Sequence, residues 1–198
     1  MAELRDDDLI SGWAAIVDKI IRGDKINRPI VVVGRTPELL RKYGLPSASL
    51  TMTVAKVARC RREHSEVPLA VWHDLPKLLE DPLAIFPSQH RDGSMVILLV
   101  VLDRNGNHIL VVAHPGDGGA NVILSVYGKE AGFDWITREI AQAKAEGLDV
   151  YEKNGFADSL PQPPVAEATS SSHGLIPSDG TAKPRRDILR IREKSTKS

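Results

Sequence analysis

Between residues 83 and 127 the chain repeats one pattern: a short run rich in Val, Ile and Leu, then a cluster of turn residues. The runs are 83–86, 95–102, 108–114 and 121–127, and the clusters are 89–93, 103–106 and 115–119. Such short connections leave no room for a crossover helix, so consecutive runs can pair only as antiparallel neighbours. Asn105-Gly106 is the clearest hairpin signal, because glycine accepts the positive φ that a tight turn demands. The pattern predicts a small antiparallel β-meander of about four strands.

On either side the apolar spacing becomes helical. Leu9, Trp13, Ile16, Val17, Ile20 and Ile21 fall on one helical stripe, with Asp6, Asp7 and Asp8 at the end where a helix dipole favours negative charge. Gly23 and Asp24 stop it. Residues 29–33 read as a buried strand, and Thr36-Pro37-Glu38 opens a short helix that Gly44 closes. Further helices are expected over 54–63, over 67–79 with a kink near Pro76, and over 133–146 up to Gly147. Residues 148–151 suit an edge strand. The expected fold class is α+β, with N-terminal helices packed on one face of the meander.

From Ala157 the chain turns to Pro, Ser and Gly with almost no aromatic residue, which is linker chemistry. The expected organisation is therefore one domain over 1–156 and a flexible tail over 157–198. Formal net charge is zero, but unevenly spread: residues 183–198 hold seven Lys/Arg against Asp187 and Glu193, a net of +5. Residues 1–154 hold 19 Lys/Arg against 21 Asp/Glu, a net of −2. Residues 185–197 could form a basic helix against a partner. Cys60 is the sole cysteine, so no internal disulfide can form, and a reducing compartment is expected. No apolar run is long enough to span a membrane, and the acidic N-terminus is unlike a secretory signal.

Several chemistries lack their motifs. Gly116-Asp117-Gly118-Gly119 lies between two expected strands, without the helix that a phosphate cradle requires. His64, His73, His90, His108, His114 and His173 show no zinc-ligand spacing, and no serine stands in a Gly-x-Ser-x-Gly elbow. No cofactor is expected. Two segments carry more. Residues 56–64, KVARCRREH, crowd Lys56, Arg59, Arg61, Arg62 and His64 into one helix end. They suit phosphate binding beside a proton-transferring imidazole, or simply a solvated helix face. In Ser125-Val126-Tyr127-Gly128-Lys129, alternation puts Ser125 and Tyr127 on one sheet face with Lys129 just beyond. That row suits an anionic transition state, or strand-end polar residues facing water.

The segment Leu75-Pro76-Lys77-Leu78-Leu79-Glu80-Asp81-Pro82-Leu83-Ala84-Ile85-Phe86-Pro87-Ser88, followed by Ile123-Leu124-Ser125-Val126-Tyr127-Gly128-Lys129, resembles the conserved blocks of the MuF C-terminal domain family. His64 stands upstream, where that family has a histidine after a basic helix. The resemblance spans about residues 44–154. It implies a barnase–EndoU–colicin–RelE-like fold carried by phages and polymorphic-toxin systems. The implied activity is that of a metal-independent ribonuclease toxin acting in the cytoplasm of a target cell. Carried over, His64 is the catalytic base or acid, and Ser125, Tyr127 and Lys129 are the catalytic groups on the phosphate side. Lys56, Arg59 and Arg62 would bind substrate backbone. The implied partners are RNA, tRNA included, and a cognate immunity protein, with no membrane. The alternatives are an inactive relative that binds protein or nucleic acid and, third, an ADP-ribosyl transferase with Glu130 as its candidate acid.

Overall fold

The computed structural model describes residues 6–130, 132–154 and 156. Their elements run α1 (Asp6–Arg22), β1 (Ile30–Arg35), α2 (Glu38–Lys42), β2 (Ser49–Thr53), α3 (Val54–Glu63), α4 (Leu69–His73), α5 (Leu75–Leu78), β3 (Ala84–Pro87), β4 (Met95–Leu102), β5 (His108–Pro115), β6 (Asn121–Gly128), α6 (Gly132–Ala145) and β7 (Tyr151–Glu152). All lie in a compact unit, Met1–Pro161. The expected flexible tail and basic helix lie outside the described residues. None of the described helices is long and apolar enough to cross a membrane.

The α+β class holds, and the meander forms as β3-β4-β5-β6. The sheet extends beyond that meander: the strands expected near 29–33 and 148–151 form as β1 and β7, and β2 is an addition. Seven strands take the order β1-β2-β6-β5-β4-β3-β7, antiparallel except where β2 pairs with β6 in parallel, Leu50 opposite Asn121 and Thr51 opposite Val122. The single expected helix over 67–79 is instead two short helices broken at Asp74, two residues before Pro76, whose ring and missing N–H would disturb a longer one. The expected hairpin is present: Asp103 and Asn107 close the turn, and Gly106 has φ 82°.

Helices cover both faces of the sheet rather than one. Alternation, with an irregularity in β6 between Ile123 and Ser125, sends Ile97, Leu99, Val111, Ile123 and Val126 to one face, where they pack with Trp13 and Val17 of α1, Val57 of α3 and Trp72 of α4. Ala84, Phe86, Val96, Leu98 and Leu110 face the other way, against Ile136 and Ile140 of α6. The amphipathic 133–146 segment needed an apolar surface, and the second face of the meander supplied it.

One junction decides where the site lies. Thr53 ends β2, and its hydroxyl accepts the Lys56 N–H at 3.1 Å, capping α3 without an intervening loop. β2 therefore leaves β6 after two paired residues, and α3 packs beside the rest of β6 in its place. Its C-terminal end arrives at the C-terminal end of β6.

His108, at the start of β5, gives a test of the core. Burial holds its pKa below the ordinary 6.5, and a backbone hydrogen bond to Leu99 only partly opposes this. A depressed histidine pKa means that the unfolded chain binds the proton more tightly, so stability falls as pH drops below about 6.5. Urea midpoints should decline between about pH 7.5 and 5.5 more steeply in the native protein than in His108→Gln. Equal slopes would mean that His108 does not carry this dependence.

Candidate functional site

A cleft of about 410 Å³ lies where these elements meet. Glu63 and His64 at the end of α3, with Glu66 just beyond, form one wall. Asp103, Asn105 and Asn107 of the β4–β5 turn form the second. Tyr127, Gly128, Lys129 and Glu130, at the end of β6, form the third.

His64 is the C-cap of α3, and its backbone N–H donates to Cys60 O at 2.8 Å. Its Nδ1 lies 3.2 Å from Glu66 Oε1, and both side chains are half-buried. A carboxylate at Nδ1 places the proton there and leaves Nε2 as the nitrogen free to exchange one. The Tyr127 ring lies beside the imidazole, centroid to centroid 5.6 Å. Burial first, and then the Glu139 carboxylate, raise the Tyr127 pKa above the ordinary 10.0, so its phenol is a donor at neutral pH. Lys129 Nζ sits 4.7 Å from the centroid of the Trp135 ring, which holds the ammonium by a cation–π contact.

The turn wall is rigidly built. Asp103 is buried, and its Oδ1 accepts the N–H groups of Asn105 and Asn107, both at 2.8 Å, while Oδ2 accepts Asn107 Nδ2 at 3.1 Å. The carboxylate rests directly on Gly128, where a Cβ would lie 1.9 Å from Oδ2. Only glycine fits there. Gly128→Ala is expected to push Asp103 off the turn and cost about 1–3 kcal/mol, read as a lower urea midpoint. An unchanged midpoint would mean that the turn moves freely.

The expected site residues divide. His64, Tyr127 and Lys129 come together in the cleft. Ser125 pairs with Val112, as Tyr127 pairs with Leu110, so the two share a face, but Ser125 is not among the cleft-lining residues. Lys56, Arg59 and Arg62 do not line it either. Arg59 instead pairs with Glu63 at 3.3 Å on the exposed side of α3. Arg61 is built into the fold: its guanidinium donates to Val67 O at 2.7 Å and lies over Trp72. Burial, then Arg104, lowers its pKa. Sequence reasoning missed Glu66, Asp103, Asn105 and Asn107. The His-x-Glu spacing of His64 and Glu66 was a signal for the first, whereas the others read only as turn residues. Glu63, Glu66, Asp103 and Glu130 make the cleft acidic, with Lys129 the one lysine or arginine on its lining. Among the described residues, no three His, Cys, Asp or Glu side chains are grouped to hold a metal ion.

Fold and cleft thus define an α+β domain with a histidine–tyrosine–lysine cleft at the C-terminal end of β6. Residues 56–152, which hold the whole cleft, match the model of the phage MuF-C-terminal domain. This segment, just under half of the chain, is similar to that domain. No curated protein and no solved structure matched the chain.

Proposed function

We propose that the cleft cleaves RNA without a metal ion, as a nuclease module of a phage or toxin system. One observation carries the reading: an imidazole oriented by a carboxylate stands beside a protonated phenol and an ammonium in one cleft. His64 Nε2 takes the proton of a ribose 2′-hydroxyl, whose oxygen attacks the adjacent phosphorus. The phosphorus–5′-oxygen bond breaks, and the leaving oxygen takes a proton from Tyr127. Lys129 offsets the charge that develops on the phosphorane oxygens. Transfer back from His64 to Tyr127 through solvent restores both groups. Ser125 lies on the same sheet face for a neighbouring nucleotide, and Lys56, Arg59 and Arg62 could meet the backbone only beyond the cleft.

The acidic lining favours a second reading, a binding module that has given up catalysis, because carboxylates repel a polyanion within about a Debye length of roughly 10 Å. Incubation with total RNA and with tRNA separates the two. The nuclease reading expects cleavage that survives EDTA and leaves 2′,3′-cyclic phosphate ends. RNA left intact by excess folded protein would favour the binding module.

A further inference from the structure

Two clefts larger than the one at His64 lie elsewhere on the described surface. They lie at the two ends of β1, a strand that precedes the family match at residue 56. One, about 740 Å³, is formed by the segment entering β1 and carries Lys25 and Arg28. The other, about 640 Å³, is formed by the segment leaving β1 and carries Arg35, Arg41 and Lys42 beside Glu38 and Glu80.

Between them β1 is the terminal strand of the sheet. Val54 N donates to Pro29 O at 2.9 Å, and Thr36 N donates to Ala48 O at 2.9 Å. With Val31 opposite Met52, this phase turns the backbone N–H and C=O of Ile30 and Val32 away from β2. Among the described residues no backbone group pairs with them. Their side chains are exposed as well, 54% for Ile30 and 37% for Val32. The other edge of the sheet ends in the two-residue β7 and offers no comparable template.

We infer that β1 is a docking edge for an extended segment of a protein partner, with an apolar β-forming centre and acidic residues at both ends. The centre would add a strand to β1 through the outward backbone groups of Ile30 and Val32, the mode by which free sheet edges capture peptides. The ends would reach the cations of the flanking clefts. A second copy of this chain fits poorly. An antiparallel β1–β1 pair would bring Lys25 and Arg28 of one copy toward Arg35, Arg41 and Lys42 of the other, and like charges disfavour that.

The probe is a labelled peptide of roughly nine residues, alternating Val and Thr flanked by Asp and Glu, long enough to cover β1 at about 3.3 Å per residue. Three controls accompany it: the same peptide N-methylated at alternate residues in each of the two phases, and one with Lys in place of the acids. Anisotropy titration against the full chain should show saturable binding of the acidic peptide. One N-methylated phase should bind at least about tenfold more weakly, and the other about normally, because only one phase faces β1. The Lys-flanked peptide and the Arg28→Glu/Lys42→Glu variant should each weaken binding at least about tenfold. RNA cleavage by that variant should be unchanged, since β1 is two strands from β6. The inference fails if the acidic peptide does not bind at millimolar concentration, or if both methylated phases bind equally. It also fails if the chain dimerises in a manner abolished by Val32→Lys, which would make a second copy the occupant.

Discussion

Replacing His64 with alanine is expected to lower RNA cleavage about 10²–10⁴-fold, the usual contribution of one general acid or base. The folded state should survive. His64 is half-buried at a helix cap whose backbone bond to Cys60 does not need the imidazole. Glu66→Gln separates positioning from proton transfer. The amide still reaches Nδ1 but no longer carries the charge that stabilises an imidazolium, so kcat should fall, with KM little changed, by less than in His64→Ala. Tyr127→Phe removes the phenolic donor while keeping the ring against the imidazole. Its loss should approach that of His64→Ala if the phenol protonates the leaving oxygen. Initial rates on a short labelled RNA across the three variants decide the matter. Equal activity in native protein and His64→Ala would refute the proposed mechanism, whatever the other two variants do.

The parts of the fold that were legible are those in which local sequence and global packing agree. The meander could be read because each strand is followed within a few residues by turn chemistry, and Asn105-Gly106 kept its role down to the positive φ of Gly106. α1 and α6 could be read because each has a continuous apolar stripe. β2 could not. Its five residues hold only Leu50 and Met52 as apolar side chains, and the buried Thr51 is made tolerable by donating its hydroxyl to Asn121 O, 70 positions away. No local pattern announces a bond of that range, nor the parallel pairing that comes with it.

The site divides along the same line. His64 and Tyr127-Gly128-Lys129 stood out as chemistry in short segments, and the fold brings them together. The basic residues of α3 stood out equally and point elsewhere. Helical geometry explains why: with Val57 and Cys60 buried against the core, Arg59 and Arg62 must sit on the outer face, and only Glu63 and the cap residue His64 reach the end of β6. The acidic lining depends on three segments, at 63–66, at 103–107 and at Glu130, that meet only in the folded state.

The largest stability effect is expected at Trp13. Its side chain is fully buried between α1, β1 and α4, and its indole N–H donates to the Trp72 carbonyl at 2.5 Å. Trp13→Ala leaves a cavity between elements that approach through this side chain, and removal of a buried Trp costs about 3–5 kcal/mol. For a chain of this size that is a fall in Tm on the order of 10 °C or more. Trp13→Phe keeps most of the apolar volume but leaves the Trp72 carbonyl unpaired, for a loss of about 1–3 kcal/mol. The order native, Phe, Ala in thermal and urea unfolding is the expected result. α1 precedes the family match, so the outcome also shows whether this helix is part of the cooperative unit that supports the cleft. If it is, RNA cleavage by Trp13→Ala should track the folded fraction, near native well below its Tm and lost as the protein melts. A Tm within about 1 °C of native would detach α1 from that unit. Low activity in protein still fully folded would mean instead that α1 sets the geometry of the His64 wall.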